Sequence, residues 1–565
     1  MNPHFSLAGS TRWGVLSAVG ATVAALCLTA GSFTPTASGT APIAARPMHA
    51  ASLDFSGGKW GDPTADSMSK DSYGKNAAEK DPGSLFTVTK ATQARALWGK
   101  KDKLGRSVTG QGVGVAVIDS GINQVAGLNA AGKVTYGPDL SIEGNGSLAN
   151  QDTFGHGTFM AGIIAGRGAT NPSSDLASAP ANIQLGVAPD AKLLAMKVAT
   201  TDGSADVSQV IAALDWVTQH PVLPDGTRVR VINLSYGTDS TQDYRSDPLA
   251  AAAENAWQHG IVVVTSVGNE GAMGRVTTPA SDPYLLAVGS ADSGDRLDGW
   301  AHDHTKAASY SNVGSASRHA DVLVPGTSIV SLRNAGSYID QAHPEGLVSG
   351  DTSGRLFRGS GTSQAAAVLS GAVADLLQAY PTLTPDQVKY AITSTAETVN
   401  GASVNAAGDG TIRLGAEFDA ANHLLGTDGT ATTMRAAAVQ KFDRSTGQGS
   451  LDAARGGSVL VDADGNDLAG EIDVQGNAWD AAAWWSATST LTSWSGGQWL
   501  GTTWTGDGWS TDSGLSSARW SSARWSSARW SSADWDSARW SSARWSSARW
   551  SSAHWSSARW SSNDW

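Results

Sequence analysis

The 565-residue chain contains a single cysteine, Cys27. All later residues lack thiols and disulfides, so their stability must come from packing, supplemented at most by bound ions. Charge is also scarce. Asp, Glu, Lys and Arg make up 16% of the residues, against about 25% in an average globular chain. The net charge of −12 argues against a nucleic-acid partner, because holding phosphates takes a basic face. Long apolar runs are confined to residues 14–33, and no later segment is long and apolar enough to span a bilayer. Arg12 precedes that run and the small residues Ala37-Ser38-Gly39 follow it. Residues 1–39 therefore read as a secretion signal peptide, and the expected location is extracellular.

Glycine is plentiful, with 65 residues, which favours a compact, turn-rich body. Residues 40–83 are polar and irregular and read as a short pro-region or leader to the folded part. From 84 to 460 short apolar β-branched runs alternate with Ala-rich stretches. The runs include VGVAVID (113–119), KLLAMKV (192–198), RVRVINLSYG (228–237), GIVVVTSVGN (260–269), YLLAVGS (284–290) and DVLVPG (321–326). Continuous apolar runs suit strands buried on both faces of a parallel sheet. Helices are predicted over 157–166, 207–219, 248–259, 363–380 and 385–396. The last opens with Thr384 as N-cap and Pro385 in the first turn. The expected fold is a three-layer α/β domain with a mostly parallel central sheet.

Residues 461–478 form a Gly/Asp-rich linker. Its DADGND stretch opens like a calcium loop, with Asp462, Asp464 and Asn466 at alternating positions. Asp467 stands where such a loop needs Gly, and Asp473 replaces the closing Glu, so an acidic linker is the favoured reading. His302-Asp303-His304 reads as a surface loop rather than a metal site. No metal ligands are assigned.

Three stretches carry chemistry. In VAVIDSGIN, Asp119 ends a buried strand; in DTFGHGTFMAGIIAG, His156 sits between glycines at a helix start; in RGSGTSQAAAVLSG, Ser363 opens an Ala-rich helix. Reactive groups of open α/β sheets lie beyond the carboxyl ends of strands. A carboxylate there fixes one imidazole tautomer and stabilises the imidazolium. A serine at a helix N-terminus has free N–H groups beside it for a developing oxyanion. Asn269 in SVGNEG follows another buried run and supplies an amide N–H₂. Singly, each residue is more readily a cap, a turn or a loop residue. Together, in the order Asp, His, Asn, Ser, they point to nucleophilic catalysis.

In VAVIDSGI, FGHGTFMAGIIAG, VINLSYG, SVGNEG, YSNVG, VPGTSI and GSGTSQAA the chain resembles the subtilisin-like serine proteases, the subtilases, over roughly residues 84 to 460. The resemblance implies a serine endopeptidase working on extracellular proteins through an acyl-enzyme. Ser363 is then the nucleophile, His156 the general base and acid, and Asp119 its orienting carboxylate. Asn269 completes the oxyanion hole with the Ser363 N–H. Ser235, Tyr236, Gly237 and Gly268 are expected along the substrate cleft, with Glu270 near the rim of the primary specificity pocket. The chemistry needs no cofactor; structural calcium, common among subtilases, stays open with no ligand assigned. Two departures stand out. Phe159 replaces a family histidine, and Gln364-Ala365-Ala366-Ala367 replaces Met-Ala-x-Pro after the nucleophile.

Tryptophan is the other excess. Of 23 in the chain, 17 lie between 479 and 565. All but Trp485 fall at five-residue spacing, from 479 to 509, omitting 489, and again from 520 to 565 in a new register. A period of five gives neither a helical stripe nor one face of a strand. It suits a coil whose sides are each one pentad, and the unit A-x-W-S-S is similar to the pentapeptide-repeat solenoid, with Trp bulkier than the usual Leu. Residues 479–565 are thus expected as a repeat segment, β-solenoid-like or loosely ordered. Residues 516–565 carry seven Arg and three Asp, a local +4. Indoles interleaved with Arg lead to the expectation of association with the cell envelope. The other expected partners are protein and peptide substrates.

Overall fold

A computed structural model of the chain describes residues 74–144, 148–168, 175–293, 304–457, 459–462, 466–504 and 520–523. The signal segment 1–39, most of 40–83, His302-Asp303, the centre of the DADGND stretch and nearly all of the perfect Trp repeat lie outside the described residues.

The body is built on an eight-stranded sheet. Its strands are β1 (Val113–Asp119), β2 (Val134–Tyr136), β3 (Lys192–Lys197), β4 (Arg228–Leu234), β5 (Val262–Ser266), β6 (Leu286–Asp292), β7 (Lys306–Ala307) and β8 (Val322–Pro325). They lie in the order β2-β3-β1-β4-β5-β6-β7, with β8 also paired to β6. All pairs are parallel except β6 with β7. Parallel neighbours need crossovers, and helices supply them. Every residue of β1, β5 and β8 is buried, as their unbroken apolar runs require. Each Val or Ile withdrawn from water there contributes roughly 1.5–3 kcal/mol.

Helices α1 (His156–Ala165) and α4 (Thr362–Ala379) pack on each other, and α4 runs along β1, β4, β5, β6 and β8. Helices α2 (Val207–Gln219) and α3 (Pro248–Gln258) pack on each other and against β1 and β5. Helices α5 (Pro385–Thr393) and α6 (Gly429–Ala438) follow α4. The three-layer α/β architecture is the expected one, and helix ends fall within a few residues of the sequence signals. Thr384 caps α5 as its sequence predicts, through a reciprocal box with Gln387.

Two regions differ from expectation. The polar segment ending at 83 contains a short helix, Lys75–Lys80, whose Ala78 is buried, and Asp81 pairs with Arg358 at 2.6 Å. The Ala78 side chain, the largely buried ion pair and the Gly83 carbonyl, which accepts the Val330 N–H at 2.8 Å, hold this stretch to the body.

The second difference lies at the start of the Trp-rich region. Residues 479–504 form helix α7 (Ala481–Ser489) and a three-stranded antiparallel sheet of Trp494–Ser495, Gln498–Trp499 and Thr502–Thr503. This form is neither a solenoid nor a loose tail. Trp484, Trp494, Trp499 and Trp504 are buried and join the core of the α/β body. Their indoles stack on one another, with Trp499 and Trp504 at 4.8 Å edge to face and Trp479 and Trp484 at 5.2 Å. Helix α2 is the rail they dock on. The Trp484 and Trp499 indole N–H groups donate to Asp215 Oδ2 at 3.1 and 2.9 Å, and the Thr488 hydroxyl donates to it at 2.7 Å. The Trp494 indole donates to the Ala212 carbonyl at 2.9 Å. Of the perfect repeat only Trp520–Ala523 is described, as a strand antiparallel to Leu460–Asp462.

Candidate active site

The residues singled out in the sequence gather at the carboxyl edge of the sheet. Asp119 is the last residue of β1. The preceding Ile118 is in register with Leu234, the last residue of β4, so Ser235 emerges beside Asp119. Asn269 lies three residues past the end of β5. Helix α1 begins at His156 and α4 at Thr362, one residue before Ser363. A parallel sheet sends all its strand ends to one side, which is why residues more than two hundred positions apart in the chain meet here.

Both carboxylate oxygens of Asp119 approach His156 Nδ1, at 2.8 and 2.9 Å. The Ser120 backbone N–H also donates to Asp119 Oδ1 at 2.7 Å, which fixes the carboxylate plane. Burial works against the imidazolium, but the charge and hydrogen bond of Asp119 outweigh it, so His156 titrates above its usual value. Bonding at Nδ1 turns Nε2 to the far side of the ring, the orientation a general base requires.

Asp152 was not anticipated. It is fully buried and shapes the start of α1. Its oxygens accept the backbone N–H of Gly155 at 2.7 Å and of Thr158 at 2.8 Å, and the Ser120 hydroxyl at 2.7 Å. Ser120 in turn accepts the Gly157 N–H at 2.9 Å. Asp152 thereby sets where His156 sits relative to Asp119, and burial raises its own pKa. Its sequence signal was a carboxylate four residues before His156, in QDTFGHG. The glycine after His156 is sterically required, because a Cβ on Gly157 would overlap the Gly121 carbonyl oxygen.

Ser363 lies in the first turn of α4, beside the positive end of that helix. Its hydroxyl is buried and makes no hydrogen bond among the described residues. Asn269 is fastened next to it. The amide oxygen accepts the Thr362 N–H at 2.8 Å and the Thr362 hydroxyl at 3.0 Å. With Oδ1 anchored, Nδ2 is directed away from Thr362. The Ser235 hydroxyl donates to the Ser363 carbonyl at 3.4 Å, tying the end of β4 to the same turn. The ladders of β4 stop at Leu234, and Ser235, Tyr236 and Gly237 run on past it. Gly268 is bridged to Asn312, whose N–H donates to the Gly268 carbonyl at 3.1 Å and whose side-chain oxygen accepts the Glu270 N–H at 2.6 Å.

The two departures are both buried. Phe159 packs in the core, where its carbonyl accepts the Ser331 hydroxyl. Gln364 is enclosed, with neither amide atom hydrogen-bonded to another described residue. Among the described residues no group of three or more His, Cys, Asp or Glu side chains converges as a metal site, and no helix is long and apolar enough to cross a membrane.

The model of the subtilase family matches residues 110–449. This chain belongs to the subtilase family. Its relatives include the serine protease AprX of Bacillus subtilis (strain 168), 32% identical over 54% of this chain and 65% of AprX. Subtilisin NAT of Bacillus subtilis subsp. natto is 34% identical over 51% of this chain and 61% of its own length. Subtilisin DY of Bacillus licheniformis is 32% identical over 53% of this chain and 88% of that protein. The chain thus spans less than two thirds of the first two. A solved structure of a cold adapted subtilisin-like serine proteinase is 28% identical, with a TM-score of 0.39 over 54% of this chain and 88% of the other. The matched residues 110–449 contain Asp119, His156, Asn269 and Ser363 and stop short of the docked tryptophans.

Proposed function

We propose that this subtilase is a secreted serine endopeptidase that hydrolyses peptide bonds of extracellular proteins. The observation that carries this reading is the Asp119–His156 pair beside a helix that presents Ser363 at its first turn. Ser363 Oγ attacks the scissile carbonyl while His156 Nε2 takes its proton. Asp119 holds the tautomer and stabilises the imidazolium. The negative oxygen of the tetrahedral intermediate is received by Asn269 Nδ2 and the Ser363 N–H. His156 then returns the proton to the leaving amine, and a water resolves the acyl-enzyme by the same route. Extended substrate aligns along Ser235, Tyr236 and Gly237, with Gly268 on the facing segment, as an added strand.

Secretion is supported by the apolar run 14–33 with its flanking residues, and envelope retention by the +4 charge and regular indoles of 516–565. The retention idea is tested with a chain ending at residue 504. One ending at 478 would also strip the docked tryptophans. Equal partitioning of the 504 form and the full chain between cell pellet and medium would overturn it.

The activity is tested by labelling purified full-length protein with a serine-reactive fluorophosphonate, wild type beside Ser363→Ala. Loss of Ser or His in a subtilisin costs on the order of 10⁶ in kcat, a value measured on that relative. Label on wild type alone is the expected result. Label on neither would mean a groove that binds without turnover.

A further inference from the structure

At the amino ends of β4 and β5, on the side of the sheet opposite the reactive edge, lies a cavity of about 610 Å³. Arg228, Arg230 and Arg435 line it, together with Trp257, His259 and the first turn of α5. We propose that this cavity is a binding site for a small oxyanion bearing at least two negative charges, a phosphate or a polycarboxylate, held by Arg228, Arg230 and Arg435.

These arginines differ from most others in the chain. Acidic residues outnumber basic ones 51 to 39, and most partly buried arginines elsewhere pair with them, Arg95 and Arg355 being exceptions among the described residues. Arg106 pairs with Asp102, Arg318 with Asp321, Arg333 with Asp340, Arg358 with Asp81 and Arg455 with Asp206. Arg228, Arg230 and Arg435 form no ion pair among the described residues. Arg230 donates only to carbonyls, those of Gly260, Pro381 and Leu383, at 3.1, 2.7 and 2.9 Å. Arg435 donates to the carbonyls of Leu424 and Gly426 at 2.8 and 2.7 Å and to the Thr432 hydroxyl at 3.2 Å. Carbonyls fix these two guanidiniums without neutralising them, and each keeps further N–H donors. Arg228 makes no side-chain bond among the described residues.

One carboxylate, Asp386, reaches the cavity, and neutral donors occupy it. It accepts the Trp257 indole N–H at 2.7 Å and the Gln440 side-chain and backbone N–H groups at 2.9 and 3.3 Å. The local charge is therefore net positive inside an acidic protein. Arg230 registers this: burial first, then the neighbouring Arg228 charge, lower its pKa. The positive end of α5 adds to the same field. Guanidiniums held in place by carbonyls bind carboxylate or phosphate with little ordering cost. A cavity of this size admits a ligand larger than a single halide ion.

The test is thermal unfolding and calorimetric titration of the full chain at pH 7.5 with inorganic phosphate and, separately, with citrate. Each is compared with sodium chloride at equal ionic strength. A saturable rise in Tm with at least one anion is expected, and Arg228→Gln or Arg435→Gln should weaken binding tenfold or more. Arg228 supports no other contact, so its variant should match wild-type Tm in the absence of anion. Saturation by phosphate alone marks a phosphate site, and saturation by citrate alone a carboxylate site. No shift beyond that of sodium chloride overturns the proposal. So does a shift that both variants leave intact.

Discussion

Asp119 and Asp215 are buried carboxylates in one α/β body, and their partners separate chemistry from architecture. At the carboxyl edge of the sheet Asp119 holds an imidazole, whose proton can leave and return near neutral pH. On helix α2, Asp215 holds two indole N–H groups and a hydroxyl, none of which gives up its proton. The first arrangement moves charge; the second fastens one part of the chain to another. Their surroundings follow suit. Asp119 lies near Gly121 and Gly157, where neighbouring backbone leaves little room for a Cβ, and Asp215 is packed beneath tryptophans.

Asp119→Asn would break the first half of this contrast and carries the largest expected effect. An amide presents the wrong partner to Nδ1, and kcat should fall on the order of 10⁴ with the fold intact. In the wild type, His156 must be neutral to act as base, and its pKa is raised. The acid limb of kcat/KM should therefore lie above the ordinary histidine value of about 6.5. A limb below that value would show that Asp119 does not govern His156.

Trp484→Ala is next, and it tests whether the docked tryptophans belong to the folded body. Trp484 is fully buried against Trp479 and Asp215, and its removal should cost about 3–5 kcal/mol by chemical denaturation. Ending the chain at 478 should destabilise more than this, and ending it at 504 hardly at all. Equal stability of the two truncated forms would make residues 479–504 a passive appendage.

Asn269→Ala sharpens the assignment at the reactive edge. It should lower kcat about 10²–10³-fold, or roughly 3 kcal/mol, with little change in KM. A rise in KM alone would place the amide in ground-state binding instead.

The smallest effect is a pH slope. Burial raises the Asp215 pKa to about 6, with the Thr488, Trp499 and Trp484 donors opposing. The folded state therefore binds this proton more tightly than the unfolded state. Stability from this group is greatest below about pH 4 and declines as pH rises through about 6, by at most about 3 kcal/mol. Asp215→Asn keeps an acceptor oxygen and cannot ionise. The difference between the two Tm-versus-pH curves should widen from pH 4 to 6.5 in favour of the variant. A constant difference would mean that the Asp215 pKa in the folded protein is not raised above its unfolded value.

The reactive edge was legible because its chemistry is local. VAVID reads as a buried strand ending in a carboxylate, GHG as a histidine at a helix start, and GTSQAAA as a serine in a first turn. Asp152 escaped because its work is to accept backbone N–H groups, a role that any loop carboxylate could fill. The docked tryptophans escaped for a different reason. Their five-residue period implies a self-contained repeat, yet Trp484, Trp494 and Trp499 bond to Asp215 and Ala212, more than two hundred residues earlier. The repeat pattern holds no record of that partner.

The sequence by itself determined the alternation of strands and helices that calls for a parallel sheet, and the residues that are candidates for nucleophile, base and carboxylate. Apolar periodicity, caps and strand-end residues act over a few positions and can be read one stretch at a time. Tertiary structure alone decided that Asp152 positions α1, that three arginines meet without an ion pair among the described residues, and that residues 479–504 join the core. Each depends on which distant groups share a site, since the cost of a buried polar or charged group is set by its neighbours in space.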